Sequence, residues 1–189
     1  MKLHLLITAL FALVLTACAP QAVTSPGERV ASVTSLESVY QLGVGDRVKM
    51  TVYNEPGLSG EFAVNDAGNL ALPLIGDVRA IGSTTEQVAR VVETMLAAGY
   101  LRDPKVSMEV AVYRPFFILG EVKAPGQYPF ANGLTVLNAV ATAQGFTPRA
   151  QKSVVFIRKF GEDTEKAYQI TPDLKVFPGD TIRFGERYF

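Results

Sequence analysis

The chain has 189 residues, 48% of them apolar and 19% charged, with 18 basic against 18 acidic side chains. That length holds one or two compact domains and excludes a large multidomain enzyme. The balanced charge leaves no basic face of the kind nucleic-acid binding requires. There is one Cys (Cys18), one His (His4) and no Trp, and both single residues lie near the N-terminus.

Lys2 supplies a short positive start, and Leu5 to Leu15 follows as an uncharged apolar run of 11 residues. Such a run is too short for the roughly 30 Å hydrocarbon core of a bilayer but fits the apolar region of a secretory signal. It ends in Leu15-Thr16-Ala17-Cys18, which resembles the bacterial lipobox. That resemblance implies cleavage before Cys18, diacylglycerol on its thiol and acylation of the new amine. Several acyl chains anchor durably where one is marginal. Ala19 stands where, in this class, an Asp would favour inner-membrane retention, so the expected location is the outer membrane with the body in the periplasm.

Residues 1–17 thus read as a lipoprotein signal peptide and 18–39 as the lipidated N-terminus and linker, with Pro20, Pro26 and Gly27 and no sustained period. Loss of the signal removes the sole His, and lipid blocks the sole Cys. A His base for a Ser or Cys nucleophile, zinc ligation by His or thiolate, and an intrachain disulfide are then all excluded. The expected lipidation site is Cys18, with no catalytic, cofactor-binding or metal-binding residue and no cofactor beyond the covalent lipid.

Within 40–114 the first strand is expected at 47–53, where Val48, Met50 and Val52 alternate with Lys49, Thr51 and Tyr53. Pro56-Gly57 marks a turn, 61–65 a second strand closed by Asn65-Asp66-Ala67-Gly68, and 70–72 a third. Thr84 and Gln87 have the spacing of a capping box. Val88, Val91, Val92, Met95 and Leu96 then form one helical apolar stripe that Gly99 ends. Val106, Met108, Val110 and Val112 alternate in a further strand.

A second unit, 115–189, begins with strand-like 116–122, a turn at Ala124-Pro125-Gly126 and a strand at 127–130. A short helix is expected over 134–144, starting near Thr135 and stopped by Gly145. Strands follow at 153–160 and 166–170 around a Gly161-Glu162-Asp163 turn, and Pro178-Gly179-Asp180 leads into a strand over 181–184.

Two pairs of segments echo each other: Gly45-Asp46-Arg47-Val48 with Gly179-Asp180-Thr181-Ile182, and 76–82 with 120–126. Recurrent turn chemistry accounts for them without duplication, and Asp46 and Asp180 read as structural turn residues. Residues 124–148 contain no Lys, Arg, Asp or Glu. Two readings stand open there: a neutral wall or subunit interface, and a turn-rich segment with an ordinary core helix. Phe116, Phe117, Tyr128, Phe130 and Phe146 read as core aromatics rather than sugar-stacking platforms. Sequence does not fix the separation of Glu61, Asp66 and Asp77, so they define no hydrolytic pair.

Taken in order, these residues resemble the bacterial outer-membrane polysaccharide export (Wza-like, OPX) lipoproteins. The first domain is similar through 40–46, 52–61, Asp66-Ala67-Gly68, 72–76 and Asp103-Pro104-Lys105-Val106. The second resembles the soluble-ligand-binding β-grasp (SLBB) module through 120–128, 134–140, Ala143-Gln144-Gly145 and Phe177-Pro178-Gly179-Asp180. The resemblance implies an α+β fold: a small polysaccharide-export α/β domain at 40–114, then a β-grasp-like SLBB domain at 115–189. It implies a transport role, in which no bond is made or broken. It also implies a homo-oligomeric ring, often octameric in the family, through which capsular, exopolysaccharide or biofilm polymer leaves the cell. The expected partners are the polymer, an inner-membrane co-polymerase or tyrosine kinase and the membrane itself, with no nucleic acid.

The best-known members carry more than one β-grasp module and end in an amphipathic helix that builds a membrane-spanning barrel. Here 166–189 contains Pro172, Pro178, Gly179 and Gly185, which break such a helix. A spanning segment must be an unbroken helix or part of a closed barrel. The expectation is therefore a periplasmic collar working with a separate outer-membrane β-barrel. The rival readings are a monomeric, lipid-anchored carbohydrate-binding or adaptor module, and an enzyme acting on the polymer.

Overall fold

The computed structural model describes residues 40–187. The signal run, Cys18, the linker and Tyr188-Phe189 lie outside the described residues. Within that span the order is β1 (Arg47–Val52), a 3-10 turn (Pro56–Leu58), β2 (Gly60–Ala63), β3 (Asn69–Leu72), β4 (Gly76–Arg79), α1 (Thr85–Ala97) and β5 (Val106–Val112). The second half adds β6 (Phe116–Gly120), β7 (Gly126–Tyr128), α2 (Val136–Thr142), β8 (Val154–Arg158), β9 (Lys166–Gln169) and β10 (Thr181–Phe184). The fold is α+β.

In the first half β1 is the middle strand of an antiparallel sheet of order β2-β1-β5. Its alternation holds: Val48, Met50 and Val52 are buried and their neighbours are exposed. The β3–β4 hairpin is a separate ribbon, joined to the end of β2 by the Val64–Leu70 bridge. α1 closes the core from its N-cap, where Thr84 Oγ1 accepts the Gln87 N–H and the Gln87 side chain accepts the Thr84 N–H. The buried line on α1 is Val88, Ala89, Val92 and Leu96. The expected stripe is therefore turned by part of a step: Ala89 faces the core, and Val91 is 47% exposed. A small residue lets the helix sit close to the sheet, which hydropathy alone cannot signal.

The second half is a five-stranded mixed sheet of order β7-β6-β10-β8-β9. β6 and β10 run parallel at its centre and every other pair is antiparallel. α2 crosses between β7 and β8 and lies on one face. The register sends Phe116, Ile118, Val155, Ile157, Tyr168, Ile182 and Phe184 to that face, against Val136, Ala139 and Val140. This is the β-grasp arrangement. The close parallel pairing demands a glycine at 120, where φ is +83° and a Cβ would overlap the Phe184 carbonyl oxygen.

Three local expectations are refined. Pro56-Gly57 is a 3-10 turn, and 76–79 is a strand, not only a turn signal, because Val78 pairs with Leu70 and is buried. The 76–82 and 120–126 echo falls on different structures, β4 in one case and the exit of β6 in the other. Among the aromatics, Phe116 is core and Tyr128, Phe130 and Phe146 pack on it. Phe117, one residue out of phase, is 39% exposed on the opposite face.

Candidate functional site: the joint between the two halves

Only Tyr113, Arg114 and Pro115 separate β5 from β6. A residue before proline is pushed towards extended backbone, so the chain passes directly from one sheet into the next. The side chain of Arg114, 12% exposed, turns back between two loops of near-identical construction. In the first, Asp46 Oδ2 accepts the Gly43 N–H at 2.7 Å while the Asp46 N–H donates to the Gly43 carbonyl. In the second, Asp180 Oδ2 accepts the Phe177 N–H at 2.9 Å while the Asp180 N–H donates to the Phe177 carbonyl. Gly45 (φ +90°) and Gly179 (φ +84°) supply the left-handed step in each. The sequence echo between the two Gly-Asp turns is thus a structural one.

Arg114 ties these turns together. Its Nη1 donates to Asp46 Oδ2 at 3.0 Å, its backbone N–H donates to Asp46 Oδ1 at 2.7 Å, and its Nε donates to the Pro178 carbonyl at 3.1 Å. The guanidinium lies 4.1 Å from the centre of the Phe160 ring and 5.4 Å from that of Tyr40. The Asp46 carboxylate is fully buried, which is tolerable only because four donors surround it. The fourth is the Tyr40 hydroxyl, at 2.7 Å. Burial first, then the Asp46 charge and its hydrogen bond, push the Tyr40 hydroxyl far above its ordinary value of 10.0, so this phenol stays protonated. Side chains at Gly43 or Gly179 would run into Arg114, at Gly179 within 2.8 Å of Nε and 2.7 Å of the Phe160 ring.

An aromatic ladder runs beside this ion pair. Tyr40 and Tyr113 meet edge to face at 5.0 Å, and Tyr113 and Phe130 at 5.4 Å. The ladder borders a groove of about 320 Å³ reached by Thr85 of α1, residues 108–110 of β5 and Asn132 of the second half. Glu109 contributes the one carboxylate in its lining and faces Lys49 at 3.6 Å.

Asp46 and Asp180 are buried turn residues, as expected. Glu61, Asp66 and Asp77 are all exposed, and Glu61 pairs with Arg47 at 3.2 Å. The charge-free stretch 124–148 divides into a buried side, with Val136, Ala139, Val140 and Ala143, and an exposed side that includes Gln127, Asn132, Leu137, Asn138, Thr142 and Gln144. Cys18 lies outside the described residues. Sequence reasoning missed Arg114, Tyr40 and Tyr113; the available signal was an Arg-Pro step after a strand together with the twin Gly-Asp turns.

Comparison with known proteins defines the class. Residues 34–111 match the family described as polysaccharide biosynthesis/export protein, and residues 115–170 match the SLBB domain. The sheet of the second module runs past that match, since β10 completes it. The exopolysaccharide production protein ExoF of Rhizobium meliloti (strain 1021) is 37% identical over 144 residues, 69% of this chain and 34% of ExoF. The polysialic acid transport protein KpsD of Escherichia coli is 25% identical over 158 residues, 78% of this chain and 28% of KpsD. The chain spans about a third of the length of these curated relatives. The chain belongs to the polysaccharide export family, with one export domain followed by one SLBB domain.

Proposed function

We propose that this protein is a non-catalytic part of a polysaccharide export machine: an outer-membrane lipoprotein, anchored through Cys18, whose copies form a periplasmic ring or collar around a departing capsular or exopolysaccharide chain. Residues 40–114 and 115–189 are its two folding units. An inner-membrane co-polymerase or tyrosine kinase feeds the ring, and a separate outer-membrane β-barrel completes the passage. The observation that carries the reading is the joint at Arg114, which fixes an export domain against an SLBB domain in one orientation. A collar needs such a fixed wedge, because a ring closes only if every copy presents the same angle to the next. Relatives named for exopolysaccharide production and polysialic acid transport support the cargo class. Among the described residues no helix is long and apolar enough to cross a membrane. Residues 166–184 contribute β9 and β10 to the β-grasp sheet.

The test is the mass of the lipidated protein extracted in mild detergent. A single closed oligomer supports the collar, and a monomer at all concentrations favours the tethered carbohydrate-binding or adaptor module. Release of sugar fragments from polymer by the purified protein would overturn the non-catalytic reading.

A further inference from the structure

We infer that the groove at the joint is a glycan-binding site that takes uncharged pyranose units of the exported polymer. The inference rests on the export reading and adds the place and chemistry of contact. The volume, about 320 Å³, lies at the lower end of the range of small-molecule sites, ~300–1,000 Å³. Its walls combine the two things a sugar ring requires. Tyr40 and Tyr113, packed edge to face at 5.0 Å, give the groove an aromatic rim against which the C–H edge of a pyranose can rest. Thr85, Glu109 and Asn132 offer a hydroxyl, a carboxylate and an amide, which together donate to and accept from ring hydroxyls. Residues 108–110 lie on β5, the outer strand of its sheet, so backbone polar groups border the same groove.

Charge decides the class of sugar. No Lys or Arg lines the groove, and its one carboxylate, Glu109, already faces Lys49 at 3.6 Å, so the lining offers no cation to pair with a uronate or sialate carboxylate. Asn132 belongs to the 124–148 stretch, whose exposed side chains include amides, a hydroxyl, a leucine, prolines and alanines but none that carries a charge. On the side of Asn132 the groove is thus bordered by a stretch without charged side chains, and on the β5 side by the Lys49–Glu109 pair. Addition of a peptide strand to the β5 edge is the competing use. Lys105 flanks that edge and Glu109 sits on it, and charges there are the usual device against strand addition.

The experiment uses the full chain in detergent and, as probe, oligosaccharides made by partial hydrolysis of the extracellular polysaccharide of the cell that carries the gene. Saturation-transfer NMR reads contact on the sugar protons. Binding is expected to change less than twofold between 50 and 500 mM salt, because screening acts only on charge recognition. Asn132→Ala and Glu109→Gln, both at exposed positions that the fold tolerates, should each weaken it about 5- to 10-fold, while Asp163→Ala should not. No transfer, steep salt dependence, or equal binding by the Asn132 and Glu109 variants overturns the site. So does self-association that is lost in a β5-edge variant while glycan contact is absent. If deleting the gene abolishes surface polysaccharide yet the probe does not bind, the groove assignment alone falls. If deletion leaves surface polysaccharide unchanged, the export reading falls with it.

Discussion

Replacing Arg114 by methionine keeps an unbranched apolar stem but removes the cation between the two turns. The Asp46 carboxylate, fully buried, would keep three donors and lose its countercharge. Breaking a buried pair by deleting one partner costs about 3–5 kcal/mol, because the remaining charge is stranded. Loss of the bond to the Pro178 carbonyl and of the stack on Phe160 falls within the same total, since all three act through one guanidinium. We expect a net loss of about 4 kcal/mol and, for a chain of this size, a fall in melting temperature of roughly 8–16 °C. Calorimetry adds a sharper reading: the wild type should unfold in one transition, and the variant should split into two as the halves separate. Asp46→Asn in the Arg114→Met background removes the stranded charge, so the double variant should recover about 2 kcal/mol or more relative to simple addition. A loss below 1 kcal/mol for Arg114→Met, or strictly additive effects, would refute the view that this pair holds the joint.

Other outcomes follow from single features. Tyr40 ionises in the unfolded chain near pH 10 but not in the folded one, so its contribution is intact below that pH and is lost above it at ~1.4 kcal/mol per pH unit. Tyr40→Phe should therefore cost about 1.5 kcal/mol at pH 7 and flatten the alkaline decline; an unchanged slope in pH-dependent urea unfolding contradicts this. Gly120→Ala drives a methyl into the Phe184 carbonyl at a positive φ and should cost more than ~3 kcal/mol. Gly57→Ala, with open space around it, should change stability by less than ~0.5 kcal/mol, measured in the same urea titrations. Cys18→Ala should abolish labelling by radioactive palmitate and release the protein from membrane fractions; retained label would show that the anchor lies elsewhere.

Much of the fold could be read in advance because its signals are local. The β1 alternation, the Thr84–Gln87 capping box and the turn at Gly179-Asp180 each state their structure within a few residues. The phase of α1 was not legible, since Ala89 gains its place from close packing rather than from hydropathy. β4 was obscured because only Val78 of its four residues is buried. The joint was harder still. Arg114 and Asp46 lie 68 positions apart, and the Arg-Pro step and the twin Gly-Asp turns mark local bends without pairing one with the other. In sequence Asn132 is one member of a charge-free stretch; its place at the groove depends on how the two sheets meet.

The most direct test of the export role is deletion of the gene, with polymer measured separately on the cell surface and in the periplasm. Surface polymer should fall to background while the periplasm retains it, and the wild-type gene should restore display where the Cys18→Ala form does not. Normal amounts of surface polymer in the deleted strain would contradict the account.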